Sequence, residues 1–72
     1  MPKRRYLNTK HASIYRTYDV RAYPQPEDAI AAAIQAALAI SFVTGLAKRK
    51  PAIRLDPRGT RWQVAIPVQV AR

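Results

Sequence analysis

The side chains able to do chemistry in this chain are overwhelmingly cations. Thirteen lysines and arginines stand against four carboxylates, for a net charge of +9. They fall into groups: Lys3, Arg4 and Arg5 near the start, Lys48, Arg49 and Lys50 in a row, and Arg54, Arg58 and Arg61 around a turn motif. Such a field attracts polyanions, which means nucleic acid, an anionic membrane or an acidic protein surface. Tyr15, Arg21 and Tyr23 lie together in the first half. Aromatic rings beside arginine on an exposed sheet can stack unpaired bases. Tyrosine is also common in strands simply because it packs well on a pleated surface.

Catalysis has little to work with. Glu27 and Asp28 suit a helix start and Asp56 suits a turn, which leaves Asp19 without a partner for carboxylate acid/base chemistry. Ser13 stands two residues from His11, but that adjacency in a basic arm is not a triad. Gly45 and Gly59 are the only glycines, so there is no phosphate-binding glycine loop. With no cysteine and one histidine, the chain has no thiolate zinc site, no disulfide and no metal cluster. The reading is a non-enzymatic protein with no cofactor and no metal.

The charge is segregated. Residues 1–23 carry six basic and one acidic side chain, residues 24–47 only Glu27 and Asp28, and residues 48–72 seven basic and one acidic. The neutral centre, Ala29 to Ala47, reads as an alanine-rich helix that positions the rest. Pro26 fits its first turn, Glu27 and Asp28 complement the positive end, and Gly45 is placed to cap it, with Lys48 to Lys50 beyond. Ile30, Ile34, Leu38 and Phe42 form an i, i+4 stripe. The opposite side, Asp28, Ala32, Gln35, Ala36 and Ala39, is small and weakly apolar. It is either an exposed alanine face or a second packing surface, for instance for self-association. The run nearly reaches the roughly 20 apolar residues of a membrane span. Gln35, Ser41, Thr44 and Gly45 interrupt it, and basic residues flank both ends. It reads as a core helix rather than a membrane segment.

Around the helix the pattern is strand and turn. Ser13 to Tyr23 reads as a strand with Ile14, Arg16, Tyr18, Val20 and Ala22 inward and Tyr15, Thr17, Asp19, Arg21 and Tyr23 outward. Arg16 breaks the inward set and is expected near a strand end. Ala52 to Asp56 is a short strand, and Asp56-Pro57-Arg58-Gly59 carries the residues of a type I turn. Arg61 to Val70 alternates cleanly, with Trp62, Val64, Ile66, Val68 and Val70 on one face. Pro67 cannot donate to a ladder, so this strand needs an unpaired side there, as a sheet edge or past the end of a neighbour. The fold class is α+β: one small domain, residues 13–72, ordered β-α-β-β, with the helix on a three-stranded sheet. A flexible basic arm, residues 1–12, precedes it. The expected core is Ile14, Tyr18, Val20, Ile30, Ile34, Leu38, Phe42, Ile53, Leu55, Trp62, Val64, Ile66 and Val68. A domain this small buries only about 60% of its unfolded surface and is marginal without a partner.

From Ala22 to Ala33 the chain reads Ala-Tyr-Pro-Gln-Pro-Glu-Asp-Ala-Ile-Ala-Ala-Ala. A strand ending in an aromatic, a short polar link, an acidic pair and an alanine-rich helix resembles the small phage-encoded inhibitors of bacterial RNA polymerase. That resemblance implies a tiny helix-on-sheet domain that docks on the polymerase. This chain departs from those inhibitors in being strongly basic. The first functional expectation is therefore a basic regulator that binds an acidic surface of the transcription machinery. Direct binding of DNA or RNA is the second, and a structural subunit of a nucleoprotein or virion the third. Only one helix is evident, so no helix-turn-helix supports sequence-specific duplex reading. The contact residues expected are Lys3, Arg4, Arg5, Tyr15, Arg21, Tyr23, Lys48, Arg49, Lys50, Arg54, Arg58 and Arg61. The basic, polar stretch Met1 to Lys10 has no apolar signal region, so a cytoplasmic location is expected, the host cytoplasm if a phage encodes the chain.

Overall fold

The structure, a computed structural model, describes residues 9–71, with side chains from 11 to 71. The arm residues Lys3, Arg4 and Arg5 lie outside the described residues. The elements run β1 (Thr9–Asp19), α1 (Pro26–Leu38), β2 (Val43–Leu46), β3 (Ala52–Leu55) and β4 (Arg61–Ala71). The α+β class read from the sequence holds, with one helix packed on an antiparallel sheet.

β4 is the organising strand. It pairs with β1 along its whole length on one side. On the other side β3 pairs with its first half and β2 with its second. Both run antiparallel to β4, so β2 and β3 lie end to end as one interrupted strand. Pro67 explains the interruption. Its carbonyl accepts the Ala47 N–H at 3.0 Å, so its backbone faces the β2/β3 side. In an antiparallel strand a residue's N and C=O point the same way. The missing N–H of Pro67 therefore falls in the gap where β2 has ended and β3 has not begun. The requirement for an unpaired side is met past the ends of two neighbours.

The helix is shorter than expected. It ends at Leu38 rather than continuing to Ala47, and the Ala39 N–H closes its last turn onto Gln35 and Ala36. Val43 to Leu46 instead fills the edge of β4 that β3 leaves open. Valine, threonine and glycine give up little by leaving a helix, and pairing with a buried strand outweighs their weak helix propensity. Gly45 sits in that strand and caps nothing.

The buried face of the helix also differs. Ala29, Ala33 and Ala37 are fully buried against Val64, Ile66 and Val68. Ile30 and Ile34 flank them, half-buried, while Leu38 and Phe42 are exposed. The alanine line lets the helix backbone approach β4 closely, and the isoleucines reach down on one flank. Leu55, also expected in the core, is exposed. At one end an aromatic group closes the core: the Tyr18 and Tyr23 rings meet edge to face at 5.0 Å, and the Trp62 indole N–H donates to the Tyr23 carbonyl at 2.7 Å.

Candidate functional site

The helix covers one face of the sheet, and among the described residues no second helix or sheet covers the other, which is called the bare face below. Alternation assigns the bare face to His11, Ser13, Tyr15 and Thr17 of β1, Gln63, Ala65, Pro67 and Gln69 of β4, and Ala52 and Arg54 of β3. The register places them in rows. Tyr15, Ala65 and Ala52 form one row, and Thr17, Gln63 and Arg54 form the next.

These two rows line a groove of about 490 Å³. Its remaining lining residues, Arg16, Val64 and Ile53, are the middle residue of each strand triplet. By strand alternation these three belong to the helix-facing side of the sheet. Alanines on two strands keep the floor low, and Tyr15 and Arg54 rise as walls roughly two strand spacings, about 10 Å, apart. Tyr15 is 76% exposed. Arg54 donates from Nε to the Gln63 Oε1 at 2.8 Å. That bond orients the guanidinium over the sheet and does not engage its two η nitrogens.

A second hollow of about 320 Å³ lies further along the same face, lined by His11, Ala47, Lys48, Arg49 and Gln69. Lys48 to Lys50 occupy the break between β2 and β3, and all three are exposed. The proline gap therefore brings cations to the bare face. The face collects Arg54, Lys48 and Arg49, whereas Glu27 and Asp28 sit at the start of the helix on the opposite layer.

Several expected contact residues stand elsewhere. β1 spans Thr9–Asp19, not 13–23, because Asp19 ends it. The Asp19 carboxylate accepts the Arg21 N–H at 2.7 Å, and its carbonyl accepts the N–H groups of Ala22 and Tyr23. This turn, an Asx-type use of aspartate, swings Tyr23 under the sheet into the aromatic group. Tyr23 is thus no outward stacking residue, and Arg21 is an exposed turn residue beyond the end of β1. Arg16 lies mid-strand opposite Val64, not near a strand end. The residue that sequence reasoning did not pair with Tyr15 is Gln63; its outward place in the strand was visible, its bond to Arg54 was not.

The β3–β4 turn is built as expected. Gly59 N–H closes onto the Asp56 carbonyl at 2.9 Å, and Gly59 has φ +72°, where only glycine is unstrained. Partial desolvation works to raise the Asp56 carboxyl, but hydrogen bonds from the Thr60 and Arg61 N–H groups and the Thr60 hydroxyl outweigh it and hold it below its usual value. Arg58 at this turn and Arg61 beside it lie at the Asp19 end of the sheet, whereas the chain enters β1 at the Ala71 end. The hairpin and the first described residues of β1 are thus at opposite ends of the sheet.

Among the described residues no group of three or more His, Cys, Asp and Glu side chains comes together, and no helix is long and apolar enough to cross a membrane. No protein-family model matches the chain, and neither a curated protein nor a solved structure is significantly similar to it.

Proposed function

We propose that this protein is a non-enzymatic binding module for unpaired nucleic acid, with the bare sheet face as its contact surface. The observation that carries this reading is a groove floored by alanines and lined by an exposed tyrosine on one strand and, one row along on another strand, an arginine held by Gln63. Single-strand binders combine aromatic platforms for bases with cations that track the backbone. Here Tyr15 supplies the platform, Arg54 and Gln63 the polar edge, and Lys48 and Arg49 the cations that continue the track. Lys50, Arg58 and Arg61 add to the surrounding field. Duplex DNA presents no splayed base to Tyr15, so the face favours single strands.

An acidic protein surface is the competing occupant, and the resemblance to phage inhibitors of RNA polymerase makes the transcription machinery its first instance. The two differ in a titration of labelled single-stranded DNA, RNA and duplex DNA at about 50 and 200 mM salt, where single-strand binding falls with a log–log slope of about −0.7 per phosphate contacted. Binding that keeps a single-strand preference at the higher salt supports the nucleic-acid reading. Weak binding without preference, together with recovery of polymerase from nuclease-treated lysate, overturns it in favour of the protein partner.

A further inference from the structure

The two edges of the sheet are built differently. The β2/β3 edge is broken by a register shift between Val43 and Gly45, by three consecutive cations and by Pro51. Those are the devices that keep an edge from pairing with another chain. Among the described residues the β1 edge carries one such device, the charge of Arg16 on the helix-facing side, and no bulge, proline or run of cations. Its eleven residues pair with β4 without a bulge, and the strand contains no proline. Because Pro67 faces away from β1, its partner Ser13 also turns its backbone away from β4. The N–H and C=O groups of His11, Ser13, Tyr15 and Thr17 therefore line a regular ladder that no other strand among the described residues occupies.

We propose that this edge pairs with the β1 edge of a second copy, antiparallel about a two-fold axis at Tyr15, to make one continuous sheet. Outward-facing backbone groups must meet outward-facing groups, so the axis must pass through a residue. Side-chain pairing chooses which one. An axis at Arg16 sets that arginine against itself, and an axis at Ile14 faces no like charges but does not bring His11 opposite Asp19. An axis at Tyr15 sets His11 opposite Asp19 twice, Ser13 opposite Thr17 and Ile14 opposite Arg16, with no like charges facing. Like charges directly opposite are destabilising, and hydrogen-bonding and aromatic pairs are favourable. The small core supplies a further reason. Three of its six fully buried residues are alanines, and no disulfide reinforces it. Domains of this size commonly need an oligomer or another staple. Pairing would extend the core across the seam through Ala12, Ile14 and Tyr18, which are only half-buried in one copy. The bare faces would join, with the two Tyr15 grooves flanking the axis.

The test needs no nucleic acid, so its outcome is independent of the proposed ligand. The chain contains no cysteine, which makes a single introduced thiol a clean reporter. In the proposed register Tyr15→Cys faces its own copy as a hydrogen-bonded pair with Cα atoms about 5.5 Å apart, within the roughly 4.4–6.8 Å that a disulfide spans. Ser13→Cys is displaced four residues along the strand from its own copy and cannot close. The expected result is a dimer in sedimentation of the native chain and rapid cross-linking of Tyr15→Cys but not of Ser13→Cys. Ser13→Pro removes an outward N–H and leaves the β4 ladder intact, so it should give a folded monomer. A native chain that sediments as a monomer throughout a dilution series overturns the proposal. So does cross-linking of Ser13→Cys in preference to Tyr15→Cys.

Discussion

Replacing Tyr15 by alanine separates stacking from charge on the bare face. The ring is 76% exposed in a single copy, so its loss should change the folding stability of one copy by no more than about 0.5 kcal/mol, as for other surface positions. Its floor neighbours, Ala65 and Ala52, are too small to replace the platform. A stacked base is worth about 1–3 kcal/mol, and tenfold in affinity is about 1.4 kcal/mol, so single-strand binding should weaken roughly 5- to 150-fold. The salt slope should stay unchanged, because no cation has been removed. Tyr15→Phe should bind nearly as well as the native chain, since the π face is retained. The assay is fluorescence anisotropy with a labelled single strand, alongside a urea titration to establish equal folding. Unchanged affinity in a folded Tyr15→Ala protein would refute the stacking role, and equal losses for single and double strands would remove the preference that the groove was argued to create.

Arg54→Gln should lower the magnitude of the single-strand salt slope by about 0.7 if its guanidinium holds one phosphate, measured as log affinity against log salt. Ala33 is fully buried between the helix and β4; Ala33→Leu should cost about 1–3 kcal/mol through overpacking, whereas Ala31→Leu on the exposed side should be nearly neutral in the same urea titration. Gly59→Ala meets only Leu55, at 3.8 Å, but its φ of +72° should cost about 1–2 kcal/mol, again by urea unfolding. Because the folded Asp56 carboxyl titrates below the ordinary value of 3.8, its stabilising contribution is complete above that pH and fades as pH falls through the lower folded value; acid unfolding followed by Trp62 fluorescence should show this loss in the native chain and not in Asp56→Asn.

The strand pattern was legible because it depends on local signals. Alternation over Arg61 to Val70 placed every β4 residue on its proper face, and Asp-Pro-Arg-Gly marked a turn whose geometry glycine alone suits. The helix was misjudged where local signals compete with long-range pairing. The run Phe42 to Ala47 contains no charge to break a helix, and only the open edge of β4 turns it into a strand. The packing face was misread because size was taken for burial. An i, i+4 line of isoleucine, leucine and phenylalanine outranks alanines on any hydrophobicity scale, yet close approach of a helix to a valine-rich strand selects the small residues. The site was half-visible. Tyr15 was placed outward correctly, but its neighbouring arginine was sought at Arg21 on the same strand, when the register brings Arg54 of β3 to the same groove one row along. Tyr23 was lost to a turn that depends on the side chain of Asp19, the one carboxylate left without a role.

The single residue that ties architecture to the proposed function is Pro67. A donor-free position in the central strand forbids a continuous neighbour on one side, so the third strand must break opposite it. The break has to be filled by a segment that needs no ladder, and a solvated cationic loop ending in Pro51 satisfies that requirement without exposing an edge. Lys48 and Arg49 then line the hollow beside His11 and Gln69 because the break lies there. The opposite side of the same strand keeps an unbroken ladder with β1, which leaves β1 regular and its outer edge open. Changing Pro67 to valine would restore the donor without supplying it a partner. The expected consequence is a local rearrangement of the 47–51 loop toward β4, visible as increased amide protection there and as weaker single-strand binding from displaced cations. If the loop stays in place and the affinity is unchanged, the position of Lys48 and Arg49 is set by their own contacts and not by the gap.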